Sequence, residues 1–221
     1  LKKFAIIVAG GSGQRMNSTI PKQFLLLQGK PVLYHTLAAF HKADPKTELL
    51  VVLPAEQFDY WKSIISKLPE ITHRLVEGGD SRFQSSKNAI EALEGEGIVA
   101  IHDGVRPIIE PELISASFQE AATKGNAVLA VASKDSVRFY STEKAGFEHL
   151  NRESIRLIQT PQIFTLKELK TAFKQDYSTD FTDDARVVES IGVKINLVEG
   201  SYRNIKITTP EDLDLAEVLL K

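Results

Sequence analysis

A chain of 221 residues with 43% hydrophobic and 25% charged residues has the balance of an ordinary globular protein, long enough for one large α/β domain or two small ones. A formal net charge of −2 gives no global attraction to nucleic acid or to an anionic membrane, so a phosphate ligand must be held by local groups of cations. The absence of cysteine excludes disulfides, thiolate nucleophiles and Cys-ligated zinc or iron–sulfur sites, while no apolar stretch approaches the ~18 residues of a membrane span and no leader pattern is visible, which points to a cytoplasmic protein.

The first apolar run, Phe4–Ala9, reads as a buried strand. It runs into Gly10-Gly11-Ser12-Gly13-Gln14-Arg15-Met16, a loop closed by Pro21-Lys22. Glycines at a strand end let backbone N–H groups approach an anion with no Cβ in the way. Arg15 and Lys22 add two cations to the same loop. A Rossmann fingerprint needs a third glycine where Met16 stands, and a P-loop needs Gly-Lys-Ser/Thr, so neither motif is present. The plain alternative is a glycine-rich turn between strand and helix, but a turn needs neither the three glycines nor the two cations.

Further strands are expected at Glu48–Leu53, Arg74–Glu77, Ile98–His102, Ala127–Ala132 and Lys194–Glu199, and helices at Pro31–Lys42, Glu56–Lys67, Ser81–Glu94 and Glu110–Lys124. Pro31 and Pro111 stand where a first-turn proline is tolerated, and Gly125 where a helix ends. Several strands are apolar without alternation, as when helices cover both faces. The order predicts an α/β fold: a mostly parallel twisted sheet with helices on both sides. Between Lys134 and Gln159 the rhythm breaks. Val137–Tyr140 and Phe147–Leu150 flank a polar turn and read as a β-hairpin, which needs something to pack on, such as another subunit. Helices follow at Lys167–Lys174 and Asp183–Ile191, and a last one opens with Thr209-Pro210-Glu211-Asp212. No repeat or linker divides the chain, so one domain over residues 1–221 is expected, with the arm at about 134–156.

In a parallel α/β sheet, ligands sit beyond the carboxyl ends of the strands, and the unusual residues fall there. Gly78-Gly79-Asp80-Ser81-Arg82 follows one strand, with Ser85 and Ser86 in the next helix. Asp103-Gly104-Val105-Arg106-Pro107 follows another. A carboxylate ending a strand beside a phosphate loop suits Mg²⁺, and Arg106 suits a second phosphate. Taken singly, Gly78-Gly79-Asp80 is equally a turn, Asp103 a cap, and Arg152 a surface residue. His102 reads as packing or a backbone hydrogen bond, and Trp61 and Phe58 as core. Asn204–Thr208 alternates like a strand and delivers Lys206 just before the last helix.

Those segments, with Thr160-Pro161-Gln162 and Thr182-Asp183-Asp184, are together similar to the 2-C-methyl-D-erythritol 4-phosphate cytidylyltransferase family over essentially the whole length. The resemblance implies a Rossmann-like, GT-A-like nucleotidyltransferase that joins CTP to a small polyol phosphate and releases pyrophosphate. It implies that Arg15 and Lys22 stabilise charge on the triphosphate, that Ala9, Gly10, Gly11 and Gly13 hold CTP, and that Gly79, Asp80 and Ser85 recognise the base. It implies Asp103 beside Mg²⁺ and substrate, and Arg106, Ser136, Thr160 and Thr182 around the acceptor. It implies that Arg152 and Lys206 position that acceptor for attack. Family members are homodimers whose arms reach into the partner's site. Three positions depart from the common pattern: Ser136 for threonine, Asn151 for aspartate, and Arg186 for a small residue. Ribitol 5-phosphate as acceptor, or a nucleotide-binding domain without turnover, are the rival readings.

Overall fold

The computed structural model describes residues 1–11 and 20–221. In chain order its strands and helices are β1 (Lys3–Val8), β2 (Leu26–Leu27), β3 (Lys30–Pro31), α1 (Val32–Ala43), β4 (Glu48–Leu53), α2 (Phe58–Ile65), β5 (Arg74–Glu77), α3 (Arg82–Glu91) and β6 (Ile98–Asp103). They continue with α4 (Pro111–Lys124), β7 (Asn126–Ala132), β8 (Val137–Ser141), β9 (Gly146–Leu150), β10 (Arg156–Thr165), α5 (Leu166–Ala172), α6 (Asp184–Glu189), β11 (Leu197–Glu199) and α7 (Pro210–Leu219).

Seven strands form one sheet in the order β11-β7-β10-β6-β1-β4-β5. β1 pairs in parallel with β4 and β6, and β4 with β5. These strands are apolar throughout because alternate residues enter different cores. Ala5 and Ile7 of β1, Leu49, Val51 and Leu53 of β4, and Ala100 of β6 pack with Leu37 and Phe40 of α1, Phe118 of α4 and Trp61 of α2. On the other face Phe4, Ile6, Leu50, Val52 and Ile101 meet Phe83 and Ile90 of α3, Leu169 of α5 and Val188 of α6. Trp61 is fully buried and Phe58 packs against the same core, as expected. The helix stops also follow the sequence: Gly125 closes α4 at φ 89°, where a Cβ would be strained.

β10 is a strand of the main sheet that the sequence does not disclose. It runs antiparallel to both β6 and β7, and its pairing with β7 jumps between Ile158 and Gln162. Pro161, which follows a cis peptide bond, falls at that irregularity, and an interior proline argues against a central strand. The expected strand at Asn204–Thr208 is absent: the segment is irregular backbone, tied to the sheet end by the Ile207 N–H donating to the Val105 carbonyl at 2.9 Å. Its alternation instead reflects Ile207 entering a third apolar cluster with Val105, Ile108 and Ala216 of α7. β11 covers only the last half of the strand expected at Lys194–Glu199. The hairpin forms as expected, with Val137 opposite Leu150 and Ser141 opposite Gly146. Among the described residues no helix is long and apolar enough to cross a membrane.

Candidate active site

The parallel strands β1, β4, β5 and β6 all end at one edge of the sheet, and two adjoining cavities open there. The first, about 370 Å³, is lined by Ala9, Gly10 and Gly11 after β1, by Lys22, by Gly79, Asp80 and Ser85 near the start of α3, and by Asp103. Gly10 and Gly11 carry no side chain into it, so backbone faces the space. Ser85 is buried, and its hydroxyl accepts the Gly79 N–H at 3.1 Å. That bond fixes the turn after β5, and a Cβ on Gly79 would collide with the Gln84 side chain. Lys22 donates to the Ile207 carbonyl at 3.2 Å, joining the first loop to the segment that carries Lys206. Arg15 and Gly13 lie outside the described residues.

Asp103, the last residue of β6, is buried where the two cavities meet. Its Oδ2 lies 3.1 Å from Arg106 Nε and 3.1 Å from Lys206 Nζ, and its Oδ1 lies 3.5 Å from Arg82 Nη2. Burial works to raise this carboxyl, but Arg82, Lys206 and Arg106 together hold it well below the usual carboxylate range. It is therefore a fixed anion. Its backbone N–H donates to Thr160 Oγ1 at 3.0 Å, and that hydroxyl also bonds His102 Nδ1 at 3.0 Å. His102 is fully buried and pushed down to about 3 by burial, so it packs and bonds as a neutral ring. It is a brace for the site, as its sequence context suggests.

The second cavity, about 330 Å³, is lined by Arg82, Asp103, Arg106, Thr160, Thr182 and Lys206, with Gln159 and Asp183. Arg106 donates from Nη1 to the Asn204 carbonyl at 2.8 Å, and Asn204 Nδ2 donates to the Thr160 carbonyl at 2.8 Å. Thus the loop after β6, the bulge of β10 and the segment before α7 are cross-tied around one space. Arg82, Asp103 and Lys206 line both cavities.

Of the residues expected from the sequence, the fold brings Ala9, Gly10, Gly11, Lys22, Gly79, Asp80, Ser85, Asp103, Arg106, Thr160, Thr182 and Lys206 to these two cavities. It does not bring Arg152 or Ser136 there. Both are exposed at the base of the arm, where Arg152 Nη1 donates to the Lys134 carbonyl at 3.1 Å. Arg82 and Asp184 also belong to this site, although the sequence alone does not single them out. Arg82 donates from Nη1 to the almost fully buried Asp184, whose other oxygen accepts from Ser86 Oγ at 2.8 Å. Burial works to lower the Arg82 guanidinium, but Asp184 and Asp103 raise it, so it stays charged. The signal was present in the sequence as an arginine at the end of a glycine-rich turn. What was missing was its partner, 102 residues away.

Comparison with known proteins agrees over the whole chain. Residues 4–221 match the family model of 2-C-methyl-D-erythritol 4-phosphate cytidylyltransferase. The chain is 46% identical over 217 residues to the protein of that name from Bacteroides fragilis, covering 98% of each. It is 44% identical over 221 residues to its namesake in Bacteroides thetaiotaomicron, covering 100% of each. Its fold resembles the crystal structure of 4-diphosphocytidyl-2C-methyl-D-erythritol synthase from Anaerococcus prevotii, with a TM-score of 0.84, 30% identity, and coverage of 99% of this chain and 96% of that one.

Proposed function

The chain belongs to the 2-C-methyl-D-erythritol 4-phosphate cytidylyltransferase family, and from that premise we propose how its two cavities divide the reaction. The enzyme transfers the cytidylyl group of CTP to 2-C-methyl-D-erythritol 4-phosphate, giving 4-diphosphocytidyl-2-C-methyl-D-erythritol and pyrophosphate in the non-mevalonate route to isoprenoids. None of the relatives above is named for ribitol 5-phosphate.

In our reading the first cavity takes CTP and the second takes the acceptor. The observation that carries this division is that Arg82, Asp103 and Lys206 line both, so two ligands placed there would meet at that boundary. Backbone N–H groups at Gly10 and Gly11, with Gly13, hold the triphosphate beside Ala9, whose own N–H is spent on the Val52 carbonyl at 2.9 Å, and Gly79, Asp80 and Ser85 hold the base. Lys22 and Arg15 stabilise the charge that gathers on the departing pyrophosphate. Lys206 and Arg106 receive the acceptor phosphate beside Asp103, with Thr160 and Thr182 along the same wall. A phosphate oxygen of the acceptor attacks the α-phosphorus of CTP as the bond to pyrophosphate breaks. No covalent intermediate is needed: holding both reactants in line supplies most of the rate.

Magnesium fits this junction. Asp103 is an oxygen donor held ionised, and its Oδ1 has no described partner nearer than Arg82 Nη2 at 3.5 Å. A cation at Asp103 would take most of its ligands from phosphates and water. Bound there, it would neutralise charge on the triphosphate.

Arg152 and Ser136 complete a site only from another copy in this reading. We therefore assign a homodimer in which each arm, with its exposed Phe139, Tyr140 and Phe147, docks on the partner and carries Arg152 and Ser136 to the partner's acceptor cavity. Purified protein assayed for pyrophosphate release tests the whole reading. The expected result is a kcat/KM for 2-C-methyl-D-erythritol 4-phosphate well above that for ribitol 5-phosphate. The reverse preference would overturn the acceptor assignment, and no release with either would overturn turnover itself.

A further inference from the structure

Arg82 and Asp184 form a largely buried ion pair beside the reaction centre, and the scheme above gives them no task. Resting on its acceptor assignment, we propose that Arg82, clamped by Asp184, is a positioning residue: it orients the Asp103 carboxylate and, through it, the two cations that receive the acceptor phosphate.

The clamp is rigid from its far end. Gln162 of β10 donates to Asp183 Oδ2 at 3.0 Å and accepts the Ala185 N–H at 2.7 Å, which fixes the start of α6 on either side of Asp184. Both Asp184 oxygens are then spent, one on Ser86 Oγ and one on Arg82 Nη1. Arg82 opens α3, capped by Ser81, so its side chain is anchored at both ends.

The near end shows what the clamp does. Arg82 Nη2 is buried and makes no hydrogen bond, although Asp103 Oδ1 is only 3.5 Å away. A buried donor without a partner needs a reason. An arginine free to move would close on Asp103 with two parallel bonds and engage both oxygens. Held back by Asp184, it attracts Oδ1 alone. Oδ2 is left to Arg106 Nε and Lys206 Nζ, each at 3.1 Å. The carboxylate plane is thereby set with one oxygen towards α3 and the other towards the acceptor cavity. Arg106 and Lys206 take their places from that second oxygen.

The test uses Arg82→Lys, Arg82→Met and Asp184→Asn in the full chain, with thermal melts to confirm folding. Kinetics with each substrate varied are paired with calorimetric titration of 2-C-methyl-D-erythritol 4-phosphate and of CTP, separately and without turnover. Misplacement of reacting groups by about 1 Å costs on the order of 100-fold. The expected result is an acceptor KM and Kd raised about tenfold or more in Asp184→Asn and Arg82→Met, with a lower kcat, and a clearly smaller rise in the Kd for CTP titrated without magnesium. Arg82→Lys keeps the charge but loses the fork, and should leave the acceptor KM raised. Full recovery in Arg82→Lys would overturn the proposal, because charge alone would then suffice. CTP and acceptor constants rising in step would overturn it too, as general distortion of the site. If Arg82→Met and Asp184→Asn do not fold, Arg82→Lys decides. A parent enzyme that fails to bind the acceptor at all would instead sink the acceptor assignment.

Discussion

Asp103 shows how a single carboxylate can organise cations from distant parts of the chain. Arg82, Arg106 and Lys206 come from three separate segments and converge on it. Charges of one sign gathered this closely would repel one another without an anion between them. The cations proposed to act on the triphosphate are assigned a different task, which kinetics can read. Arg15→Ala should lower kcat by roughly 10²–10³-fold, as for loss of one preorganised donor. If KM alone rose, Arg15 would be supplying uniform binding instead. His102 makes a second prediction, about pH. Its folded value is pushed down to about 3 from an ordinary 6.5 by burial. Between those values the unfolded chain takes up a proton that the folded protein refuses. Stability must therefore fall as pH drops from 6.5 towards 3, by up to about 1.4 kcal/mol per pH unit for this group. Urea unfolding of the parent and of His102→Gln over that range measures the contribution. Identical slopes would show that His102 is not the group responsible.

At the scale of elements, the site depends on close approach of the loops after β1 and β6. Gly104 sits between them: a Cβ there would lie 2.8 Å from the Ala9 Cβ and 3.3 Å from the Val8 carbonyl oxygen. Gly104→Ala must push the two loops apart, because backbone cannot yield as a flexible side chain does. We expect a loss of about 1–3 kcal/mol in stability, the usual cost of overpacking, together with a severalfold rise in the KM for CTP. An unchanged KM would mean that the nucleotide does not depend on the Ala9–Gly11 backbone. β10 illustrates the opposite limit of local reading. Phe4–Ala9 and Ile98–His102 were legible because a run buried on both faces is apolar at every position. In Arg156–Thr165 the polar Gln159, Thr160 and Gln162 are buried too, but as hydrogen-bonding struts to Ser201, Asp103 and α6. A strand whose polar residues face inward has no periodicity to announce it. The segment with Lys206 errs the other way: it alternates like a strand because Ile205 and Ile207 pack in the third apolar cluster, yet its backbone is irregular.

For the whole molecule, the open question posed by the fold is the arm. Phe147 is 73% exposed and Phe139 56%, and a two-stranded hairpin without a hydrophobic partner is marginal in water. A cluster of exposed aromatics of this kind fits the dimer proposed above. Replacing Tyr140 and Phe147 with serine should shift the protein towards monomer in light scattering after gel filtration. Activity should fall with it, since Arg152 and Ser136 would no longer be delivered to a partner. A variant that is monomeric and fully active would refute the shared site. The sequence by itself determined the alternation of strands and helices, the glycine-bearing strand ends and the family, because these rest on local spacing and on residue types that suit phosphate. Only the tertiary structure decided that Asp103 is the common anchor of Arg82, Arg106 and Lys206, that Asp184 holds Arg82 from behind, and that Arg152 and Ser136 stand apart from the cavities of their own chain. These are relations between residues up to 103 positions apart, set by strand order and by the bulge in β10. No local pattern encodes which of many charged side chains will meet once the sheet has formed.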